Sequence, residues 1–206
     1  MVRRTKADAE ATRSALLDAA EQLFQSRGVS RTSLQDIACA AGTTRGAIYW
    51  HFQDKADLFN AMMERATLPM ERGFPDPDAP VTDLPDPLQA LRSGMRHVLQ
   101  LIATDERLRR VFEVVSLQVE YNDEMAAVRE RHLRVCNHYM GLTQQMMNVA
   151  AQRAGLTLPV PVKSAALGLH FVMDGLKRNW LLDPAAFDLV NVGQHTLDTY
   201  LRGLGF

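Results

Sequence analysis

The chain has 206 residues, 47% of them hydrophobic, and a formal net charge of −1. That is enough to bury a real core, with room for one larger domain and a small one. The near-zero charge excludes binding nucleic acid through bulk charge alone, and two distant cysteines, Cys39 and Cys136, set no disulfide framework or metal spacing.

The chain opens on Arg3, Arg4 and Lys6. Such an arm suits phosphate or the minor groove, and equally a solvated terminus. A charged amphipathic run follows instead of a secretory signal, and no apolar stretch approaches the ~20 residues of a membrane span. A cytoplasmic protein without membrane contact is expected.

Residues 7–27 form a first helix with Leu16, Leu17, Ala20, Leu23 and Phe24 on its apolar face, and Gly28 stops it. Thr32 then starts a capping box with Gln35. The helix it opens carries Leu34, Ile37, Ala38 and Ala41 on one stripe, with Cys39 expected on the core side. Both cysteines are expected as small buried hydrophobes. Gly42 ends this helix, Thr43 or Thr44 caps the next, and Ile48 and Phe52 point inward from it. Asp54 caps a further helix, with Asp57 at its third position.

Two short helices around a glycine turn make the helix-turn-helix pattern, whose second helix enters the major groove. Its outward face presents Thr44, Arg45, Tyr49, Trp50 and His51, with Lys55 just beyond. Arginine donates two hydrogen bonds to guanine, and hydroxyls and lysine suit phosphate oxygens. Gly46 lets backbone approach closely, and the hydroxyls of Ser33 and Thr43 complete the candidate DNA contacts. A plain helical hairpin, with Tyr49 and Trp50 as packing residues, fits the same pattern.

A fourth helix, from Lys55 through Leu58, Phe59, Met62 and Met63 towards Leu68, bridges a domain at 1–54 to one at 55–206. Six of the nine prolines lie between Pro69 and Pro87, together with Asp76, Asp78, Asp83 and Asp86. That density predicts a linker. The helical period then returns from Leu88 to Ile102, from Asp105 to about Gln118, and from about Asp123 to Ala154. Gly155, Pro159 and Pro161 break it, and two helices follow, Val162–Leu182 and Pro184–Gly203. No segment alternates with period two, so the class is all-α, a helical bundle behind a small helix-turn-helix domain.

The run AALGLHFVMDGLKRNWLL is apolar on two sides, which suits a bundle centre or a partner chain. Met95, Met125, Met140, Met146, Met147 and Met173 are the flexible thioethers of a core, or of a pocket for varied apolar ligands. His170 and Asp174 share a helix face four residues apart, but no third ligand accompanies them, so no metal site is expected. No nucleophile elbow, phosphate loop or catalytic carboxylate pair is present in the sequence, and neither an enzyme nor a cofactor is expected.

The stretch SRGVSRTSLQDIACAAGTTRGAIYWHFQDKADLF resembles the DNA-binding domain of the TetR family of transcriptional repressors, and MVRRTKADAEATRSALLDAAEQLF resembles that family's first helix. GTTRGAIYWHF is especially similar to the branch that represses multidrug efflux pumps of the resistance-nodulation-division type. The resemblance is strong over about the first 65 residues and looser beyond. It implies a homodimer built by the last two helices, reading a palindromic operator in double-stranded DNA. It also implies a small hydrophobic inducer bound in the larger domain. Asp174 matches an acidic pocket position of that branch, and Met95, Met140, His170 and Met173 join it as candidate ligand contacts. A regulator of the same fold that answers an acyl thioester or a quorum signal is the alternative, and an activator or a DNA-bridging protein a further one.

Overall fold

In a computed structural model of the chain, residues 6–71, 73–74 and 79–206 are described. Arg3 and Arg4 of the basic arm, and Asp76 and Asp78 of the linker, lie outside them. Among the described residues there are nine α-helices and no strand, as the all-α class requires. They are α1 Lys6–Arg27, α2 Leu34–Ala40, α3 Arg45–His51, α4 Lys55–Glu71, α5 Pro87–Thr104, α6 Glu106–Glu113, α7 Ala126–Ala154, α8 Val162–Leu182 and α9 Leu189–Gly203. No helix among them is long and apolar enough to cross a membrane.

Several boundaries depart from the sequence expectation, each for a local reason. α4 continues through Pro69 to Glu71. Pro69 falls in the last turn, and its own carbonyl lies 3.3 Å from Nε2 of His97. The predicted helix from Asp105 divides into α6 and one π-helical turn, Val114–Gln118. The long helix is preceded by a 3₁₀ turn, Asp123–Met125, whose Met125 amide donates to Asn122 Oδ1 at 3.2 Å. The last helix begins at Leu189, not at Pro184. Asp188 caps it by accepting from the Asn191 amide at 3.0 Å, while the Trp180 indole donates to the Phe187 carbonyl at 3.1 Å and holds the preceding turn open.

Two compact units result. The first comprises Met1–Thr67 with Arg110–His132, the second Leu68–Arg109 with Leu133–Phe206. In the first, α1, α2 and α3 pack on one another. Leu16, Leu17, Phe24, Ile37, Ile48, Phe52, Leu58, Phe59 and Met62 form their common core. Each such side chain contributes about 1.5–3 kcal/mol on burial. The Phe24 and Phe59 rings lie 5.9 Å apart. A charged group enters this interior: Glu21 on α1 is buried, and it pairs with Arg65 of α4.

In the second unit, α9 packs against both α5 and α8. The core holds Leu91, Leu99, Ile102, Met146, Met147, Leu169, Met173, Leu197 and Leu201. At Gly193 the α5 and α9 backbones come so close that a Cβ there would strike the Leu99 side chain. Arg92 reaches Asp198 at 3.1 Å, and the Tyr200 hydroxyl donates to the Ala165 carbonyl at 2.9 Å. Arg153 donates to the carbonyls of Thr82 and Leu84, each at 2.6 Å, and of Pro85 at 3.1 Å. The end of the proline-rich connection is therefore held, around a 3₁₀ turn at Val81–Asp83.

Candidate nucleic-acid interface

The N-terminus of α2 is fixed by Ser33, one residue later than the sequence pattern suggests. Ser33 Oγ accepts from the Asp36 amide at 3.1 Å, and the Asp36 carboxylate accepts the Ser33 amide at 2.9 Å. The predicted pair Thr32–Gln35 does not form the box. Thr32 is buried, and its hydroxyl donates to the Gly28 carbonyl at 2.8 Å, so it closes the turn before α2. Hydrogen bonds from the Ser33 hydroxyl and amide hold the Asp36 carboxyl below its ordinary value.

Gly42 follows α2 with φ of 65°, the left-handed conformation that glycine adopts without strain. Thr44, not Thr43, caps α3, its Oγ1 accepting from the Ala47 amide at 3.2 Å. Ile48 is fully buried and Phe52 nearly so, which anchors one side of a helix of only seven residues. The opposite side is left open. Thr44, Arg45 and Gly46 are exposed, and Tyr49 and Trp50 keep 49% and 73% of their surface accessible. Two large aromatic rings so exposed on one short helix are not serving a core, which removes the packing alternative for them.

The open face is ordered by ring contacts. The Arg45 guanidinium lies 5.6 Å from the Tyr49 ring centroid, a cation–π distance. The Trp50 and His51 rings meet edge to face at 4.6 Å. Beside the end of α3, Arg13 of α1 lies 5.3 Å over the Phe52 ring. Arg13 is an exposed cation next to this face that its place in the α1 period did not single out. Nothing in the surroundings of Gly46 closes its approach, since a Cβ there would meet only Thr44 Oγ1, at 3.9 Å.

Lys55 stands apart from this set. It is 8% exposed, and its ammonium donates to the Thr32 carbonyl at 3.3 Å and pairs with Glu124 at 3.1 Å. Cys39 is exposed, contrary to the expected burial, while Cys136 is half-buried. Of the remaining candidates, Ser33, Thr44, Arg45, Gly46, Tyr49 and Trp50 are exposed, and Thr43 and His51 are half-buried.

The candidate ligand contacts all lie in the second unit. Met173 is buried in its core, while Met95, Met140 and His170 are half-buried. The Asp174 side chain is 59% exposed and reaches Lys177 Nζ at 3.3 Å. A surface groove of about 360 Å³ follows the end of α7 and the start of α8, lined by Asn148, Gln152, Leu156, Leu158 and Val160 among others. None of the five candidates lines it. Burial raises the Cys136 thiol above its ordinary value, with Lys177 opposing and Asp174 adding to the shift. Among the described residues, no group of three or more His, Cys, Asp or Glu is placed to hold a metal ion.

Comparison with known proteins bears on both units. The family described as "Bacterial regulatory proteins, tetR family" matches residues 16–62, and "MAATS-type transcriptional repressor, C-terminal region" matches residues 86–206. The chain is 39% identical over 203 residues to the HTH-type transcriptional repressor BepR of Brucella suis, covering 98% of this chain and 96% of that one. Among solved structures, NalD, the secondary repressor of the MexAB-OprM multidrug efflux pump in Pseudomonas aeruginosa, superposes with a TM-score of 0.84 at 37% identity. That match covers 96% of this chain and 97% of NalD. A triclosan complex of SmeT, the repressor of the Stenotrophomonas maltophilia efflux pump SmeDEF, has a TM-score of 0.78 at 32% identity over 93% and 90% of the two chains.

Proposed function

The chain belongs to the tetR family of bacterial regulatory proteins, in the branch of multidrug-efflux repressors, and on that premise we propose that it is a ligand-released repressor of an efflux operon. It binds a palindromic operator as a homodimer in the cytoplasm, and a small hydrophobic or aromatic drug releases it. The observation that carries this reading is the open face of α3, where Thr44, Arg45, Gly46, Tyr49 and Trp50 stand exposed on a helix anchored from behind by Ile48 and Phe52.

A single seven-residue helix reads too few base pairs to be specific. Two copies across a two-fold axis read a palindrome and double the contacts. α8 offers the surface for pairing: Phe171 and Leu182 are each 65% exposed, with Val172 also accessible. Such an apolar patch, on a helix whose Leu169, Met173 and Trp180 are buried, suits a second copy of the chain.

Release is a population shift. The ligand binds more tightly to the form of the dimer whose reading helices do not match successive major grooves, and operator affinity falls. A hundredfold differential affinity, about 2.7 kcal/mol, is enough. Asp174 beside the buried Met173 supplies the polar contact of the ligand site, with Met95, Met140 and His170 as further contacts. α4 carries the change to the DNA-binding helices.

The test is a footprint on the promoters flanking the gene, with and without a panel of aromatic drugs that includes triclosan. Protection of a palindromic site that the drugs relieve supports the reading. Absence of any protected site, or turnover of a drug by the protein, overturns it.

A further inference from the structure

We infer that Arg13, on α1, is a further DNA contact, binding a backbone phosphate at the rim of the major groove that α3 enters. The inference rests on the operator-binding reading above and adds to it a contact from outside the helix-turn-helix.

Arg13 is exposed, yet its guanidinium is held in place. It lies 5.3 Å over the ring of Phe52, the residue that caps the C-terminus of α3. Phe52 is itself 2% exposed, so the ring is a fixed platform. The backbone that carries Arg13 is fixed as well, because Leu16 and Leu17, one turn further along α1, are buried. A cation so placed loses little freedom when it binds.

What holds Arg13 leaves its charge available. Other cations of the same unit are paired with carboxylates, Arg65 with Asp18 and Glu21, and Lys55 with Glu124. Arg13 has no such partner among the described residues, and a ring face leaves the in-plane N–H donors of a guanidinium unused. Arg45 is held in the same manner, 5.6 Å from the Tyr49 ring. Two ring-seated guanidinium groups thus stand at the two ends of α3, one at its first residue and one over its C-cap.

That placement gives the two arginines different partners. α3 has seven residues, so it is roughly 10 Å long at about 1.5 Å per residue, against a major groove about 12 Å wide. The N-terminal residues of a reading helix face base edges, which is where Arg45 stands. The opposite end leads to the wall of the groove, where the phosphates run. Arginine meets phosphate oxygens with paired hydrogen bonds, and such contacts fix position without reading sequence. The rings of Phe52, His51 and Trp50 follow one another at 6.1 and 4.6 Å, so the seat of Arg13 is continuous with the exposed face of α3. A phosphate caught by Arg13 therefore holds the register of that whole face.

The test uses the full chain with Arg13→Gln, which removes the charge and keeps a polar chain beside the Phe52 ring, and with Arg13→Lys, which keeps the charge. The probes are the duplex that the parent protein selects from a randomised library and an unrelated duplex of the same length. Arg13→Gln is expected to weaken binding to both duplexes by the same factor, on the order of tenfold for a dimer. The slope of log affinity against log salt is expected to become shallower by about 1.8, from about 0.9 for each of two lost phosphate contacts. Arg13→Lys is expected to recover the parent's slope. A slope in Arg13→Gln equal to the parent's overturns the inference, and a lowered melting temperature with that unchanged slope marks Arg13 as a cover for Phe52 alone. A loss confined to the selected duplex also overturns it, because that is base reading. A parent that selects no duplex overturns the operator reading and the phosphate contact with it.

Discussion

The guanidinium of Arg65 on α4 meets the carboxylate of Glu21 on α1, a side chain only 2% exposed. The same guanidinium reaches Asp18 at 2.8 Å and the Ser14 carbonyl at 3.3 Å. α4 is thereby tied to α1 by charge as well as by the Phe24–Phe59 contact. Arg65→Leu withdraws the cation from a buried anion and is expected to cost about 3–5 kcal/mol of stability. Chemical denaturation measures it. A cost below about 1 kcal/mol would put the pair with ordinary surface ion pairs and end its role as an anchor.

Arg45→Ala is expected to cost ~1–3 kcal/mol in operator binding and to relax base preference at one position of each half-site. Competition with operators substituted one base at a time checks this. Unchanged preference at every position removes Arg45 from base reading. Tyr49→Leu, which deletes the ring beneath the guanidinium, is expected to weaken the same position less.

Asp174→Ala is expected to change the response to inducing drugs while operator affinity stays near that of the parent. Its carboxylate contacts Lys177 at the surface, so the fold does not depend on it. Titration of the operator complex with the drug panel reads the outcome. A release curve identical for every drug would show that the ligand lies elsewhere, with the groove beside Leu156 and Val160 the next place to look.

The capping box of α2 makes stability depend on pH. Its carboxyl, Asp36, titrates below the ordinary 3.8, chiefly through the hydrogen bond from the Ser33 side chain. A lowered carboxyl contributes stability above its unfolded value, and loses it as pH falls through the folded one. Asp36→Asn is therefore expected to flatten the acid limb of the stability profile below pH 3.8 and to change little at neutral pH beyond a constant offset. Ser33→Ala is expected to cost about 1 kcal/mol at neutral pH. Melting temperatures across the acid range test both, and an acid limb as steep as the parent's in Asp36→Asn would falsify the assignment.

The two thiols are expected to react at different rates. Cys39 is exposed, whereas Cys136 is half-buried and its ionisation is shifted upward by burial. The thiolate is the reacting form, so Cys136 presents less of it at mildly alkaline pH. Labelling with a chromogenic disulfide should give a fast and a slow phase, and Cys39→Ser should abolish the fast one. Loss of the slow phase instead would reverse the assignment.

Much of this molecule is written in local pattern. The stripes at Leu16–Leu17–Phe24 and Leu91–Leu99–Ile102 place the cores of both units, because helical spacing alone decides which side is apolar. The exposed face of α3 is equally legible, since Ile48 and Phe52 point one way and Arg45, Tyr49 and Trp50 the others. The residue type of Cys39 suggests burial, but its helical angle gives exposure. At about 100° per residue, it lies about 200° from Ile37, off the buried side. The burial of Lys55 is hidden from the sequence for a different reason. Its partner Glu124 is remote in sequence, and no local period announces a pairing between a helix start and a distant turn. Met95, Met140 and the His170–Met173–Asp174 group stand on three separate helices, α5, α7 and α8, which spacing within one helix cannot bring together.

The close passage of α5 and α9 at Gly193 has a consequence for how the sequence can diverge. A larger residue at 193 requires the side chain at 99 to move or shrink, so the two positions are expected to change as a couple. Among natural variants, alanine or serine at 193 should travel with valine or alanine at 99. A lineage that enlarges 193 alone would have to displace the Leu99 side chain from the packing of the second unit.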